Sequence, residues 1–282
     1  MSYWIAFPAI IAAPVLGGLL HGADRVIRAR MQSRKGPPLL QPFLDLLKLL
    51  EKRQFIVHSY HALLALAHMI VLWVSIGMLF FNSDLLMVIY FHLLATLLLV
   101  VAGYSVRSVF SNMGATRELV ASLTYEPVFV LCVIALFTQY GTFQPAGILT
   151  SANPPLYTLP FIFFALLIAL PVKLKKSPFD ISEAHQEIIG GVEIEFSGFY
   201  KGVLLVSKWL DYVYVYSFLY LFSGGQLGLA LAIFVGVFVL LAAVDNATAR
   251  VTYGEMNRIT LPLVIILVVI NYVVLSIQRV AI

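Results

Sequence analysis

The chain has 282 residues, of which 61% are hydrophobic and 11% charged, with a net charge of +4 and a mean hydropathy of +0.95. Soluble domains carry about a quarter charged residues, so the composition excludes an ordinary soluble enzyme and implies an integral membrane protein. The single cysteine, Cys132, sits in an apolar run and cannot alone hold zinc or an iron–sulfur cluster; no phosphate loop or nucleic-acid module is present.

Eight apolar runs come close to the roughly 20 residues a bilayer requires. They predict spanning helices at Tyr3–Leu20, His61–Phe81, Leu85–Tyr104, Leu119–Tyr140, Leu156–Leu174, Phe199–Phe222, Leu227–Val244 and Leu261–Ile277. The first run starts at Tyr3 with no basic region before it, so no cleavable signal peptide is expected. The connections after the first, third, fifth and seventh runs carry eight, two, four and two Lys/Arg, 16 of the chain's 18, when Lys173 and Lys201 at the adjoining ends of the fifth and sixth runs are counted with the fifth connection; the others carry none. Positive residues stay in the cytoplasm. The odd connections are therefore expected there, with both termini outside and partners on the cytoplasmic face. The fold class expected is an all-α polytopic membrane protein, a single domain over 1–282. It has about eight transmembrane helices, a first cytoplasmic loop at 22–58 and an acidic cytoplasmic loop at 174–198.

The first loop opens with basic residues, among them Arg25, Arg34 and Lys35, and ends in Leu39–Arg53. There Gln41, Asp45, Lys48 and Lys52 recur at helical spacing among Leu and Phe, and Pro42 suits a first helical turn. This is an amphipathic helix, too short and too charged to span, that lies in the interface or packs on the bundle. His68 and His92 fall in the second and third runs, either as functional groups or as satisfied interhelical hydrogen bonds. Small residues in Gly103–Glu118 permit close helix approach.

The fourth run contains Glu126 beside Pro127. An unpaired carboxylate at the bilayer centre costs about 2.5–3.5 kcal/mol on insertion scales, so Glu126 must be paired, protonated or wet. The acidic loop holds Asp180, Glu183, Glu187, Glu193 and Glu195. Asp180 and Glu183 have the spacing of a helix cap, which would put Asp180, Glu183 and Glu187 on one helical face. Closely placed carboxylates can separate their pKa values and pass protons; a hydrated loop is the plain alternative. In the sixth run Lys208 and Asp211 are spaced to pair with each other. Asp245 and Arg250 follow the seventh run, as docking or capping residues.

Three ordered motifs carry a family resemblance. They are ArgMetGlnSerArgLysGlyProPro with GlnPro and Asp45 in the first loop, SerAsnMetGlyAlaThrArg with TyrGluPro after the third helix, and ProPheAspIleSerGluAla with GluIleIleGlyGly and GluPheSerGly in the acidic loop. In this order they resemble the complex I subunit 1 family. The direct run from Gly36-Pro37-Pro38 through Leu39-Leu40 into Gln41-Pro42 lacks the longer Gly-rich insert of quinone-reducing members. It is similar to the small membrane subunit of energy-converting [NiFe] hydrogenases of the Ech, formate hydrogenlyase and CO-linked types.

The resemblance implies a coupling subunit in a prokaryotic cytoplasmic (inner) membrane. It would join [NiFe] hydrogenase large and small subunits to an antiporter-like membrane subunit, fed indirectly by ferredoxin or formate dehydrogenase. The [NiFe] centre and iron–sulfur clusters would lie on partner chains, with no cofactor, metal or catalytic residue on this one. The proton path would take in Glu126, Asp180, Glu183, Glu187, Glu195, Lys208 and Asp211. Lys208 stands where the family has a glutamate, and Asp211 is a candidate substitute. Docking candidates are Arg25, Arg34, Lys35, Gln41, Asp45, Arg117 and Lys176. A quinone-site subunit of a complex I-like oxidoreductase and a stand-alone ion transporter remain as alternatives.

Overall fold

A computed structural model of the chain describes residues 3–280, and among them every regular element is helical. The elements are α1 (Tyr3–Met31), α2 (Gln41–Glu51), α3 (Ser59–Phe80), α4 (Leu85–Tyr104), α5 (Val109–Tyr140), α6 (Pro145–Leu149), α7 (Pro155–Thr158), α8 (Pro160–Lys173), α9 (His185–Ile188), α10 (Gly198–Leu221), α11 (Leu227–Ala247) and α12 (Tyr253–Val280). Two 3₁₀ turns, Ile181–Glu183 and Gly191–Glu195, lie in the acidic loop.

Among the described residues six helices are long and apolar enough to cross a membrane: α1, α3, α4, α5, α11 and α12. α8 and α10 stand where the other two of the expected eight spans were placed. α8 has 14 residues. α10 is long enough at 24 residues, but carries Lys201, Lys208 and Asp211.

The differences from expectation lie at helix ends. α1 continues to Met31 because Arg25, Arg28 and Arg30 are ordinary helix formers and no Gly or Pro lies between Gly22 and Gly36. α5 begins ten residues before the expected Leu119. The expected Leu156–Leu174 helix is interrupted at Leu159, which leaves the helical region (φ −128°, ψ 49°) ahead of Pro160.

Two helices organise the interior. α10 packs on α1, α2, α3 and α11, whereas α5 packs on α4, α8 and α12. Trp209, Tyr214, Phe218 and Phe222 on or beside α10 and Tyr125 and Phe129 on α5 are all fully buried. The rings of Phe129 and Phe218 meet edge to face at 5.1 Å, which joins the two groups. Gly17 lets α1 lie directly on α10, since a Cβ there would stand 2.1 Å from the Trp209 carbonyl oxygen.

α2 forms as expected, with Pro42 in its first turn. The first half of its polar stripe turns inward, where Arg25 on α1 donates to Asp45 at 2.9 Å and Gln41 donates to the same carboxylate at 2.8 Å; Lys48 and Lys52 stay exposed. Phe43 packs its ring 5.1 Å from Trp209, whereas Leu44, Leu47 and Leu50 stay exposed. That outward apolar row suits a bilayer interface or a partner surface.

Candidate functional site

The acidic loop does not fold as the helix its Asp180–Glu183 spacing suggests. The backbone is left-handed at Lys175, Ile189, Gly190 and Gly191, so no helix runs through it, and Asp180 makes no side-chain cap. Its acids are drawn instead to cations on other elements. Arg250 donates to Asp180 through two 2.6 Å hydrogen bonds. Arg117 meets Glu187 at 2.6 Å, with Arg250 3.7 Å from its other oxygen. Glu183 and Glu187 thus point to different partners, and the expected like-charge pair does not form.

Below this outer layer runs a row of alternating charges. Lys201 lies 2.5 Å from Glu193, and Lys208 bridges Glu193 and Glu183 at 2.9 and 2.6 Å. Lys175 bridges Glu183 at 2.9 Å and Glu118 at 3.0 Å. Burial by itself raises the Glu183 carboxyl, but the ammonium groups of Lys175 and Lys208 hold it well below the usual carboxylate range. Burial lowers Lys175, yet Glu118, Glu183 and Glu193 outweigh it and raise Lys175 well above its ordinary value.

The row continues into the bundle. The expected Lys208–Asp211 pair is replaced: Asp211 meets Lys173 at 2.8 Å. His92 Nε2 stands 3.5 Å from Asp211 Oδ1, and His92 Nδ1 lies 2.8 Å from Glu126 Oε1. Glu126 is therefore paired, in an environment where His92, Thr124, Tyr125 and Glu126 itself are each 5% exposed or less. Pro127 has no N–H for the Leu123 carbonyl.

A cavity of about 20 Å³ touches Glu118, Lys175, Glu193 and Lys208 on one side and Lys173 and Asp211 on the other. That is room for one water. A larger cavity of about 310 Å³ opens above it, lined by His21, Arg28, Lys176, Asp180, His185 and Tyr212 among others.

The remaining sequence candidates divide by exposure. Arg34 and Lys35 are exposed on the turn after α1. Arg25, Gln41 and Asp45 bind one another, and Arg117 is held by Glu187 and the Ile181 carbonyl. Lys176 is a correction to the docking set: it is buried against Asp24. Asp24 also meets Arg28 at 2.9 Å, and Arg28 reaches Asp245, whose other oxygen accepts from the Ser177 N–H. This second cluster fastens α1, the loop and α11 together. Glu195 stays outside the charge row; its electrostatic neighbour is His61.

Sequence reasoning missed Glu118, Lys173, Lys175 and Glu193 as members of the row. For three of them the signal was present: Glu118, Lys173 and Lys175 are charges within or next to an apolar run, where an unpaired charge is costly and a partner is required; Glu193 lies among the other loop acids and had no such mark. His68 follows the plain reading, with Nδ1 2.7 Å from the Ala95 carbonyl.

Residues 5–276 match the family model described as NADH dehydrogenase. The chain is similar to hydrogenase-4 component C of Escherichia coli (strain K12), 29% identical over 211 residues that cover 69% of this chain and 66% of that protein. It is similar to an NADH-quinone oxidoreductase subunit of Methylococcus capsulatus, 31% identical over 218 residues, 70% of this chain and 67% of that one. Each match spans about two thirds of the relative's length. Among solved structures, a chain of the membrane-bound sulfane sulfur reductase, described as an archaeal respiratory membrane complex, superposes with a TM-score of 0.85. That match covers 95% of this chain and 97% of the other at 24% identity, a likeness of fold.

Proposed function

Because the chain belongs to the NADH dehydrogenase family, we propose that it is the membrane anchor and coupling subunit of an energy-converting [NiFe] hydrogenase. At the coarser level it is a membrane subunit of the kind shared by complex I-like oxidoreductases and group 4 hydrogenases. The hydrogenase branch rests on the short first loop, where Gly36-Pro37-Pro38 reaches Gln41-Pro42 with two residues between, and on the similarity to hydrogenase-4 component C. The similarity to an NADH-quinone oxidoreductase chain keeps a quinone-linked complex as the second reading.

In this reading the basic face is cytoplasmic and receives a soluble redox module that carries the [NiFe] centre and iron–sulfur clusters. Arg34 and Lys35, exposed on that face, are its electrostatic contacts. An antiporter-like membrane subunit lies alongside and moves H⁺ or Na⁺. The observation that carries the coupling role is the charge row from Lys201 and Glu193 through Lys175 and Asp211 to Glu126. Buried ions at such spacing respond together: a change of charge or position at one end alters the proton affinity of the next group. Redox events in the docked module would move or recharge the acidic loop, which is tied to the row through Glu183 and Glu193, and so bias a proton toward Glu126.

Purification of the tagged chain from native membranes tests the assignment. Hydrogen evolution and a [NiFe] large subunit should co-purify with it. Quinone reductase activity without hydrogenase would place it in the other branch.

A further inference from the structure

Two histidines lie inside the bundle, and their surroundings differ in a way that bears on proton movement. His68 contacts a backbone carbonyl, which cannot take up a proton at working pH. His92 is wedged between two carboxylates on different helices: Glu126 of α5 at 2.8 Å from Nδ1 and Asp211 of α10 at 3.5 Å from Nε2. Its ring is stacked on Tyr214 at 4.0 Å and 15°, and Tyr125 meets it edge-on at 6.3 Å. With these contacts the ring rests with one nitrogen toward each acid.

A neutral imidazole has one N–H. With two carboxylates it can donate to only one of them, and the other nitrogen must offer its lone pair. The geometry has this asymmetry: Nδ1 is at hydrogen-bond distance, whereas Nε2 and the second Glu126 oxygen, Oε2, are buried without a hydrogen-bond partner. Lys173 approaches the same Asp211 oxygen at 2.8 Å. Lys173 and His92 therefore compete for one oxygen, and the site has a place for one more proton between His92 and Asp211.

We propose that His92 itself carries the proton between Asp211 and Glu126, with Lys173 setting when Asp211 releases it. The proposal deepens the coupling role above and rests on it. A proton delivered to the Asp211 carboxylate through the water-sized cavity it lines frees it from Lys173; that proton then moves to His92 Nε2, which breaks the Asp211 O–H bond and forms an N–H bond. The Nδ1–H bond then breaks and its proton bonds to the Glu126 carboxylate, so one proton has passed and the imidazole is neutral again. The freed Asp211 carboxylate returns to Lys173. The ring resets by turning between the two acids once Glu126 has passed its proton on.

The test compares His92→Gln and Glu126→Gln in the whole complex in inverted membrane vesicles, reading electron flow and proton uptake together. Gln can donate and accept at His92's position but cannot carry a proton. Both variants should keep electron flow while uptake falls by at least about a hundredfold, the low end of what a proton-transfer group contributes. If only Glu126→Gln loses uptake, His92 is a strut and the proposal is overturned while the coupling role stands. If neither loses it, the coupling role fails and the proposal with it. Should His92→Gln not assemble, redox-induced infrared difference spectra of the native complex with ring-¹⁵N-histidine decide. A label-sensitive imidazole band that vanishes in Glu126→Gln supports the proposal, and the absence of any such band overturns it.

Discussion

Lys173 holds Asp211 across the gap between α8 and α10, with its ammonium 2.8 Å from Oδ1. The two side chains are 6% and 16% exposed. Removing one partner of a buried pair costs about 3–5 kcal/mol because the other charge is left unpaired. Lys173→Met is therefore expected to lower the unfolding free energy of the purified subunit by that order, and Asp211→Asn in the same chain should restore most of the loss. A double-mutant cycle measures the coupling; simple additivity of the two losses would show that the pair does not act as a unit.

The acidic loop rests on α5 through two glycines. A Cβ on Gly114 would stand 2.5 Å from the Gly191 Cα, and Gly191 itself has φ +60°. Gly114→Ala should lift the loop and cost about 1–3 kcal/mol, the usual penalty of overpacking. Gly236→Ala, which meets open space, is the control. Faster proteolysis between residues 175 and 197 in Gly114→Ala alone would be the signature, and equal rates in both variants would rule the contact out.

The loop's electrostatics set a pH window. Glu183 is depressed in the fold despite its burial, by Lys175 and Lys208. A depressed carboxyl stabilises above its unfolded pKa of about 4.3 and loses that contribution as pH falls through the folded value. Lys175 is raised, so its contribution is complete below about pH 10.4 and is lost as pH rises through its folded value. The melting difference between the native subunit and Glu183→Gln should be constant from about pH 5 to pH 10 and shrink below about pH 4. A decline already evident between pH 7 and pH 5 would mean that Glu183 is not held ionised by its lysines.

Orientation is open to direct labelling. From the concentration of Lys/Arg in alternate connections, Ser33 is expected in the cytoplasm and Asn153 outside; both are exposed. A cysteine at residue 153 should react with an impermeant reagent on intact cells, and one at residue 33 only after lysis. The opposite pattern would invert the topology and remove the basic face as a docking surface.

Much of the architecture was legible because apolar run length reports helices directly. Helix ends were not. Arg25–Met31 reads as loop by charge, but it continues α1 because Asp45, Asp24 and Asp245 supply partners for Arg25 and Arg28. For the site, Glu126 and Asp211 stood out as charges in apolar helices, but their partners did not. Lys173, 38 residues before Asp211, and His92, 34 before Glu126, are brought close only by packing of α4, α5, α8 and α10. The acidic loop misled local reasoning for the same reason. The Asp180–Glu183 spacing favours a cap, but a bidentate arginine from beyond α11 binds Asp180 more strongly than a backbone N–H would.

The central claim is that Glu126 is an exchangeable acid at the inner end of the charge row, whose loop and bundle segments meet across a water-sized cavity. Glu126→Gln preserves side-chain size and one oxygen for the His92 contact while removing the acid. The deciding measurement is the number of ions moved per electron in vesicles containing the assembled complex. The account predicts that Glu126→Gln assembles, sustains electron transfer, and moves few or no ions per electron. An assembled Glu126→Gln complex with the native ion-to-electron ratio would contradict it, and the charge row would then be a structural clamp for the acidic loop.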